Sequence, residues 1–237
     1  MGKKLIMIGA AGTTEVLADI FMRDSEYAIE AFCVNKEYIK SKFFMGLPVV
    51  AIEDVENIFP PAEYFFFVGL GGARLNALRS HFFLSMLSKE YSPATFISSK
   101  ASVSPRASIG KHCCILENVV IHAGCVLHEN VIVFPNCYLG HHTTIGKNCF
   151  IGANTTLAGG VVLGESCFVG ASSSISNCVK VGNQNVLGMG TVCAHDTADN
   201  IVVKGNPATY TENAETVFLN WHSRQAKKFR ASQQNNF

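Results

Sequence analysis

From Val103 to Cys193 an aliphatic or small apolar residue recurs at every sixth position: Val103, Ile109, Ile115, Ile121, Leu127, Val133, Leu139, Ile145, Ile151, Leu157, Leu163, Val169, Ile175, Val181, Leu187 and Cys193. Neither the 3.6-residue stripe of a helix nor the two-residue alternation of a strand produces this spacing. A fixed short period predicts a parallel β-helix whose coils are each built from repeated short strands. With three hexads to a coil, positions 18 apart stack on one face, separated by about 4.8 Å as neighbouring strands are. That rule places Asn118, Asn136 and Asn154 in one ladder. Gly152, Gly170 and Gly188 form a second, and Gly146, Gly164 and Gly182 a third. Stacked amides bond one another, and glycine suits the tight corners of a coil.

Residues 1–98 carry a different pattern. Lys4–Ile8, Tyr27–Val34, Leu47–Ala51, Tyr64–Leu70 and Thr95–Ile97 read as strands. Helices are predicted from Thr13 or Thr14 to about Arg23, over Glu53–Ile58 before Pro60-Pro61, and over Ala73–Lys89. This alternation predicts an α/β domain with a Rossmann-like parallel sheet, followed by the all-β left-handed parallel β-helix over residues 99–210. Ligands in such sheets lie beyond the C-terminal strand ends, here Gly9–Thr13, Asn35 and Gly69–Gly72. After Asn200 the period stops. Residues 211–237 read as an extension, helical over 212–232, with Val217, Phe218, Trp221 and Phe229 apolar. Arg224, Lys227, Lys228 and Arg230 make its end basic. The aromatic residues predict packing on the body or on a neighbouring subunit; a basic tail touching a membrane surface is the alternative.

Composition narrows the function classes. A formal net charge of +1 over 237 residues gives no electrostatic reason to favour nucleic acid or an anionic membrane. The longest apolar runs, near Leu5–Ile8 and Tyr64–Val68, are too short for a membrane span or the core of a signal peptide. Of nine cysteines, Cys113, Cys125, Cys137, Cys149 and Cys167 sit two residues before the repeat's apolar position. Ala101, Ala107, Thr143, Thr155 and Ser173 fill that slot elsewhere, so cysteine is read there as a small hydrophobe. No CxxC pair or cysteine–histidine ligand spacing supports a metal. Many free thiols suit a reducing cytoplasm.

His141 and His142 fall just after Leu139, at a coil corner. By the 18-residue rule His141 is flanked by Ala123 and Gly159, which leaves an open slot beside the imidazole. Acyl transfer to an amine or alcohol needs a base to take the nucleophile's proton, and histidine titrates in the right range. Gly159 and Gly160 also offer backbone amides for a developing oxyanion. The plainer alternative is a solvated corner residue. His112, His122, His128 and His195 share no face under the same rule, which argues against a single-chain three-histidine zinc site. Gly9-Ala10-Ala11-Gly12 lacks the full dinucleotide pattern, and Asn35 stands where an acidic residue would end the second strand. A smaller nucleotide with Asn35 bonding a base fits these residues; so does a tight structural turn.

The order of the two domains, Lys4–Val16, Ala31–Lys36, Val68–Gly71, Ala101–Ile109, Leu139-Gly140-His141 and Gly205-Asn206-Pro207-Ala208 together resemble bacterial nucleotide-sugar acyltransferases, such as the bacillosamine and perosamine N-acetyltransferases and the sialic-acid O-acetyltransferase. The resemblance implies a homotrimer, acetyl-CoA as acyl donor in a groove between adjacent solenoids, and no metal. It implies an N-acetyltransferase acting on a nucleotide-linked amino sugar for surface glycan biosynthesis. His141 would be the base and His142 its neighbour in the catalytic pair. Gly159, Ala171, Gly188, Gly190 and Pro207 would line the CoA groove; Gly9, Gly12, Thr13, Asn35 and Gly71 would hold the nucleotide. The sequence departs from that pattern at four places. His142 replaces the acidic residue after the catalytic histidine, and Thr13 replaces a histidine of the opening turn. Val34-Asn35 replace paired aspartates, and Phe150 replaces a second site histidine. Sugar O-acylation and a non-catalytic nucleotide-sugar-binding scaffold are the rival readings, because fold alone does not fix function.

Overall fold

The computed structural model describes residues 2–205 and 209–220. Its N-terminal part is a six-stranded sheet in the order β3-β4-β2-β1-β5-β6. The strands are β1 (Lys3–Ile8), β2 (Tyr27–Val34), β3 (Phe43–Phe44), β4 (Leu47–Ala51), β5 (Phe65–Val68) and β6 (Ser92–Pro93). Every pairing is parallel except β3 with β4. Helices α1 (Thr13–Asp24), α2 (Val55–Ile58) and α3 (Ala77–Ser88) connect them. β1 lies at the centre, and Leu5–Ile8 are buried on both faces, as the strand of a covered parallel sheet must be.

Two expected elements differ. The helix expected from Ala73 begins at Ala77, because Arg74, Leu75 and Asn76 all take positive φ, at 51°, 52° and 65°. Phe96–Ile97 pairs not with the α/β sheet but with Cys114–Ile115, and so forms the first rung of the solenoid.

The solenoid is a left-handed parallel β-helix of three sheets. Each of its rungs pairs residues 18 apart over most of its length, as Leu139 with Leu157 and Ile145 with Leu163. The hexad residues fill the interior. A second sixfold series is visible in the backbone. Positions 112, 118, 124 and on to 190 in steps of six all have φ near +60°, and Asn or Gly occupies eight of these fourteen corners. Asparagine and glycine tolerate this left-handed conformation better than other residues. His142 is one of these corner residues, with φ 57°.

The small slot does more than save space. Cys113, Cys125, Cys137, Cys149 and Cys167 each point a thiol at a carbonyl fifteen residues ahead, at 3.0–3.1 Å. Thr143, Thr155 and Ser173 do the same with hydroxyls. Cysteine here is a small donor equivalent to threonine. Burial pushes the Cys113 and Cys137 thiols up to about 11, so they stay protonated and able to donate.

The α/β domain packs on the outer face of the first solenoid sheet. Phe67, Leu75, Ile132, Phe150, Phe168 and Phe218 share that core. Phe150, the position of an expected site histidine, lies here between Phe134 (4.9 Å) and Phe168 (5.2 Å, stacked with nearly parallel planes). It faces the domain junction and sits on a different sheet from the His141 corner. Helical turns at 214–220 bring Phe218 onto Phe168, so the start of the extension packs on the body. Trp221, Arg224, Lys227, Lys228, Phe229 and Arg230 lie outside the described residues.

At the same junction Arg79 is fully buried and has no carboxylate partner among the described residues. Its guanidinium donates instead to Asn130 Oδ1 (3.1 Å) and to the carbonyls of Asn130, Asn148 and Cys149 (3.2, 2.7 and 3.0 Å). Burial lowers it to about 10, which leaves it a cation at neutral pH. His112 joins the network. Its Nε2 accepts from the Val68 amide at 2.9 Å, so Nδ1 carries the proton given to Asn130 Oδ1, also at 2.9 Å. Asn130 in turn donates to Asn148, making a ladder of His112, Asn130 and Asn148 at the 18-residue step.

Candidate active site

Leu139 ends a strand of the second sheet and Thr144 begins one of the third, so Gly140–Thr143 form the corner between them. Two bonds clamp this corner. Cys125 Sγ donates to the Gly140 carbonyl (3.0 Å), and Thr143 Oγ1 to that of Ala158 (3.2 Å). The left-handed backbone at His142 turns the two neighbouring imidazoles apart. His141 rests against Gly159 of the following coil, where a Cβ would come within 2.5 Å of Nε2. His142 rests against Gly124 of the preceding coil, where a Cβ would lie 2.7 Å from Cδ2. The rings meet through their Nδ1 atoms, 3.2 Å apart, with planes 77° to one another. Both are solvent-exposed. With one Nδ1 donating and the other accepting, the His141 Nε2 lies over Gly159 and has no hydrogen-bond partner among the described residues.

Of the two glycine amides expected to support an oxyanion, that of Gly160 is already spent on the His141 carbonyl at 2.8 Å. The Gly159 amide has no acceptor among the described residues.

The groove residues divide. Gly159 lies at the His141 corner. Ala171, Gly188 and Gly190 lie at the corner between the first and second sheets, one sheet away in the same chain. Gly188 also borders a smaller pocket of about 290 Å³ with Phe168, Met189, Val202 and Phe218. Pro207 lies outside the described residues.

A cleft of about 940 Å³ opens beyond the C-terminal ends of β1, β2 and β5. Gly9 and Asn35 line it; Gly12, Thr13 and Gly71 are not in its wall. Gly9 is needed for packing: its φ is +115° and a Cβ would collide with Thr14 Oγ1. A Cβ at Gly71 would lie 2.8 Å from Thr13 Oγ1, so these two residues pack on each other. Asn35 Nδ2 leans toward Glu53 (3.4 Å), whose second oxygen accepts from the Lys36 amide (3.1 Å). An acidic group thus stands beside the end of β2 after all, supplied from the end of β4. Sequence reasoning missed it, and also missed the cleft's Tyr38, Phe43, Phe82, Lys40 and Arg74. These come from separate loops, and only the strand order brings them together.

Among the described residues no group of three or more histidine, cysteine or acidic side chains is placed to hold a metal ion. No helix among them is long and apolar enough to cross a membrane.

The family profile described as the GMPPB C-terminal domain matches residues 91–202. A comparison with curated proteins gives no significant match. The acetyltransferase domain of PglB from Neisseria gonorrhoeae FA1090 is 26% identical, with a TM-score of 0.78 over 89% of this chain and 100% of that one. A further structure of that domain contains acetyl coenzyme A. PerB from Caulobacter crescentus, solved in complex with CoA and GDP-perosamine, is 24% identical, with a TM-score of 0.79 over 88% of this chain and 97% of that one. WeeI from Acinetobacter baumannii AYE shares the fold more distantly, at 16% identity and a TM-score of 0.51. With the unbroken hexad solenoid, these likenesses show that the chain resembles hexapeptide-repeat nucleotide-sugar acyltransferases of the left-handed β-helix type, and the CoA and acetyl-CoA bound in those structures support an acyltransferase.

Proposed function

We propose that this enzyme transfers an acetyl group from acetyl-CoA to the amino group of a nucleotide-linked sugar. The observation that carries the reading is the exposed His141 imidazole, whose Nε2 lies over Gly159 with no partner among the described residues and whose Nδ1 is 3.2 Å from His142 Nδ1. His142, as the Nε2–H tautomer, accepts from His141 Nδ1–H. That bond fixes the lone pair of His141 on Nε2. The sugar amine attacks the thioester carbonyl while Nε2 takes its proton. The tetrahedral intermediate then collapses, the C–S bond breaks, and the proton passes from His141 to the departing thiolate as CoA–SH. The Gly159 amide is the backbone donor available to the oxyanion.

The cleft over β1, β2 and β5 has the size of a nucleotide site, with aromatic walls and cations. The PerB structure, with CoA and GDP-perosamine together, supports this pairing of substrates. A groove lined by Gly159, Ala171, Gly188, Gly190 and Pro207 requires residues from two corners. A homotrimer that sets one chain's corner against another's would satisfy that requirement. The cytoplasm, which supplies both substrates of the proposed reaction, is the location this reading implies.

Sugar hydroxyls need the same base, so the acceptor decides between N- and O-acylation. Thiol release from acetyl-CoA, measured with GDP-perosamine, other nucleotide amino sugars and their hydroxy counterparts, tests this. Turnover confined to the amines supports the reading. Turnover confined to the hydroxyls moves it to O-acylation, and acetyl-CoA binding without turnover of any of them moves it to a scaffold.

A further inference from the structure

The nucleotide cleft contains a cation whose position the solenoid dictates. Arg74 lines the cleft at the end of β5 and is exposed, and none of its guanidinium nitrogens has an acceptor among the described residues. Its backbone, with those of Leu75 and Asn76, forms a run of three left-handed non-glycine residues. Such a run persists only where its surroundings hold it. Here the solenoid does so. A Cβ at Gly72 would lie 2.5 Å from Phe168 Cδ2, so the start of the turn is pressed onto the first sheet. Leu75 is buried in the core shared by the two domains. Asn76 Nδ2 donates to the Cys167 carbonyl at 3.0 Å, and its Oδ1 accepts from Arg79, itself bonded to Asn130 and Asn148. Three successive contacts with the solenoid thus hold a strained turn whose outward residue is an unpartnered arginine.

The lining of the cleft has a direction. Asn35, Tyr38, Phe43 and Phe44 stand at the β2–β4 end. Gly9 to Ala11 lie in the middle, over β1, and Arg74 stands at the β5 end. Aromatic rings suit a base, and a glycine turn allows an anion close to the backbone. A guanidinium is the side chain best matched to phosphate oxygens. From this geometry we infer that Arg74 clamps the diphosphate of the bound nucleotide sugar, with the base toward Tyr38 and Phe43. The inference rests on the nucleotide-sugar reading above. It adds that the two domains are coupled, because the phosphate clamp keeps its place only while the turn is docked on Phe168 and Cys167.

Calorimetry on the full chain with UDP, GDP, CDP and TDP, and with the matching nucleosides, tests it. The variants are Arg74→Asn, which favours the left-handed backbone and removes the cation, and Arg74→Lys, which keeps the charge. The tightest diphosphate is expected to weaken at least tenfold in Arg74→Asn and to recover in part in Arg74→Lys, with the nucleoside changed less than twofold. Equal diphosphate affinity in wild type and Arg74→Asn overturns the clamp while the nucleotide-sugar reading stands. An equal loss for diphosphate and nucleoside overturns it as well, since Arg74 would then act on the base or the cleft's shape. No binding of any diphosphate to the wild type overturns both.

Discussion

His141 stands on Gly159: a methyl group at position 159 would lie 2.5 Å from the Nε2 atom. Gly159 has an ordinary φ, outside the left-handed region, so alanine there is tolerated by the backbone. Gly159→Ala therefore separates fold from function. Its melting temperature should stay close to wild type while the displaced imidazole loses alignment and kcat falls by about 100-fold. A variant with wild-type kcat would show that the ring need not lie where the structure places it.

The partner of that ring is a histidine at a left-handed corner. His142→Gly keeps the backbone and removes the acceptor for Nδ1, and kcat is expected to fall roughly 10–100-fold, the usual cost of losing a group that orients a histidine. His142→Asn also suits the corner and offers an amide oxygen, so it should recover most of that loss with KM unchanged. Steady-state kinetics of the two variants, over a range of pH, checks both statements.

Arg79 predicts a stability effect. Arg79→Met would leave the buried carbonyls of Asn130, Asn148 and Cys149 without their donor. A loss of roughly 3 kcal/mol or more is expected from unsatisfied groups of that number. Urea unfolding should show it, accompanied by earlier loss of the α/β domain.

His112 gives the pH dependence. Burial holds it down to about 3 in the folded chain, against about 6.5 when unfolded. Its folded value is depressed, so the unfolded state binds the extra proton between these two values. Stability is full above pH 6.5 and declines as pH falls toward 3. Between pH 7.5 and 5 the contribution is about 2 kcal/mol. The wild type should lose that much more stability than His112→Asn over this interval, measured by chemical denaturation at both pH values.

The solenoid was legible because its determinants are local and repeated. The aliphatic sixth residue, the slot for small side chains and the 18-residue step all carry into the structure, whereas the donor role of the cysteines in that slot, read from the sequence as small hydrophobes, is visible only there. The His141 corner was legible for the same reason. The left-handed series was also present as Asn or Gly at eight of the fourteen positions three residues after an aliphatic one. Counting it in steps of 18 would have found the ladder of His112, Asn130 and Asn148. The strained turn at Arg74–Asn76 was not legible. None of its residues is glycine, and the contacts that hold it come from Phe168 and Cys167, far along the chain. Glu53 beside Asn35 was hidden likewise, because its place depends on β4 pairing with β2. What the sequence concealed is what tertiary contacts alone decide.

As proposed above, His141 is the base of an acetyl transfer to a nucleotide-linked amino sugar. The most direct measurement is thiol release from acetyl-CoA with the best nucleotide amino sugar, for wild type and His141→Ala at equal thermal stability. Turnover by the wild type and a fall in kcat of about 10²–10⁴-fold in the variant are expected. Turnover of His141→Ala close to wild type would contradict it.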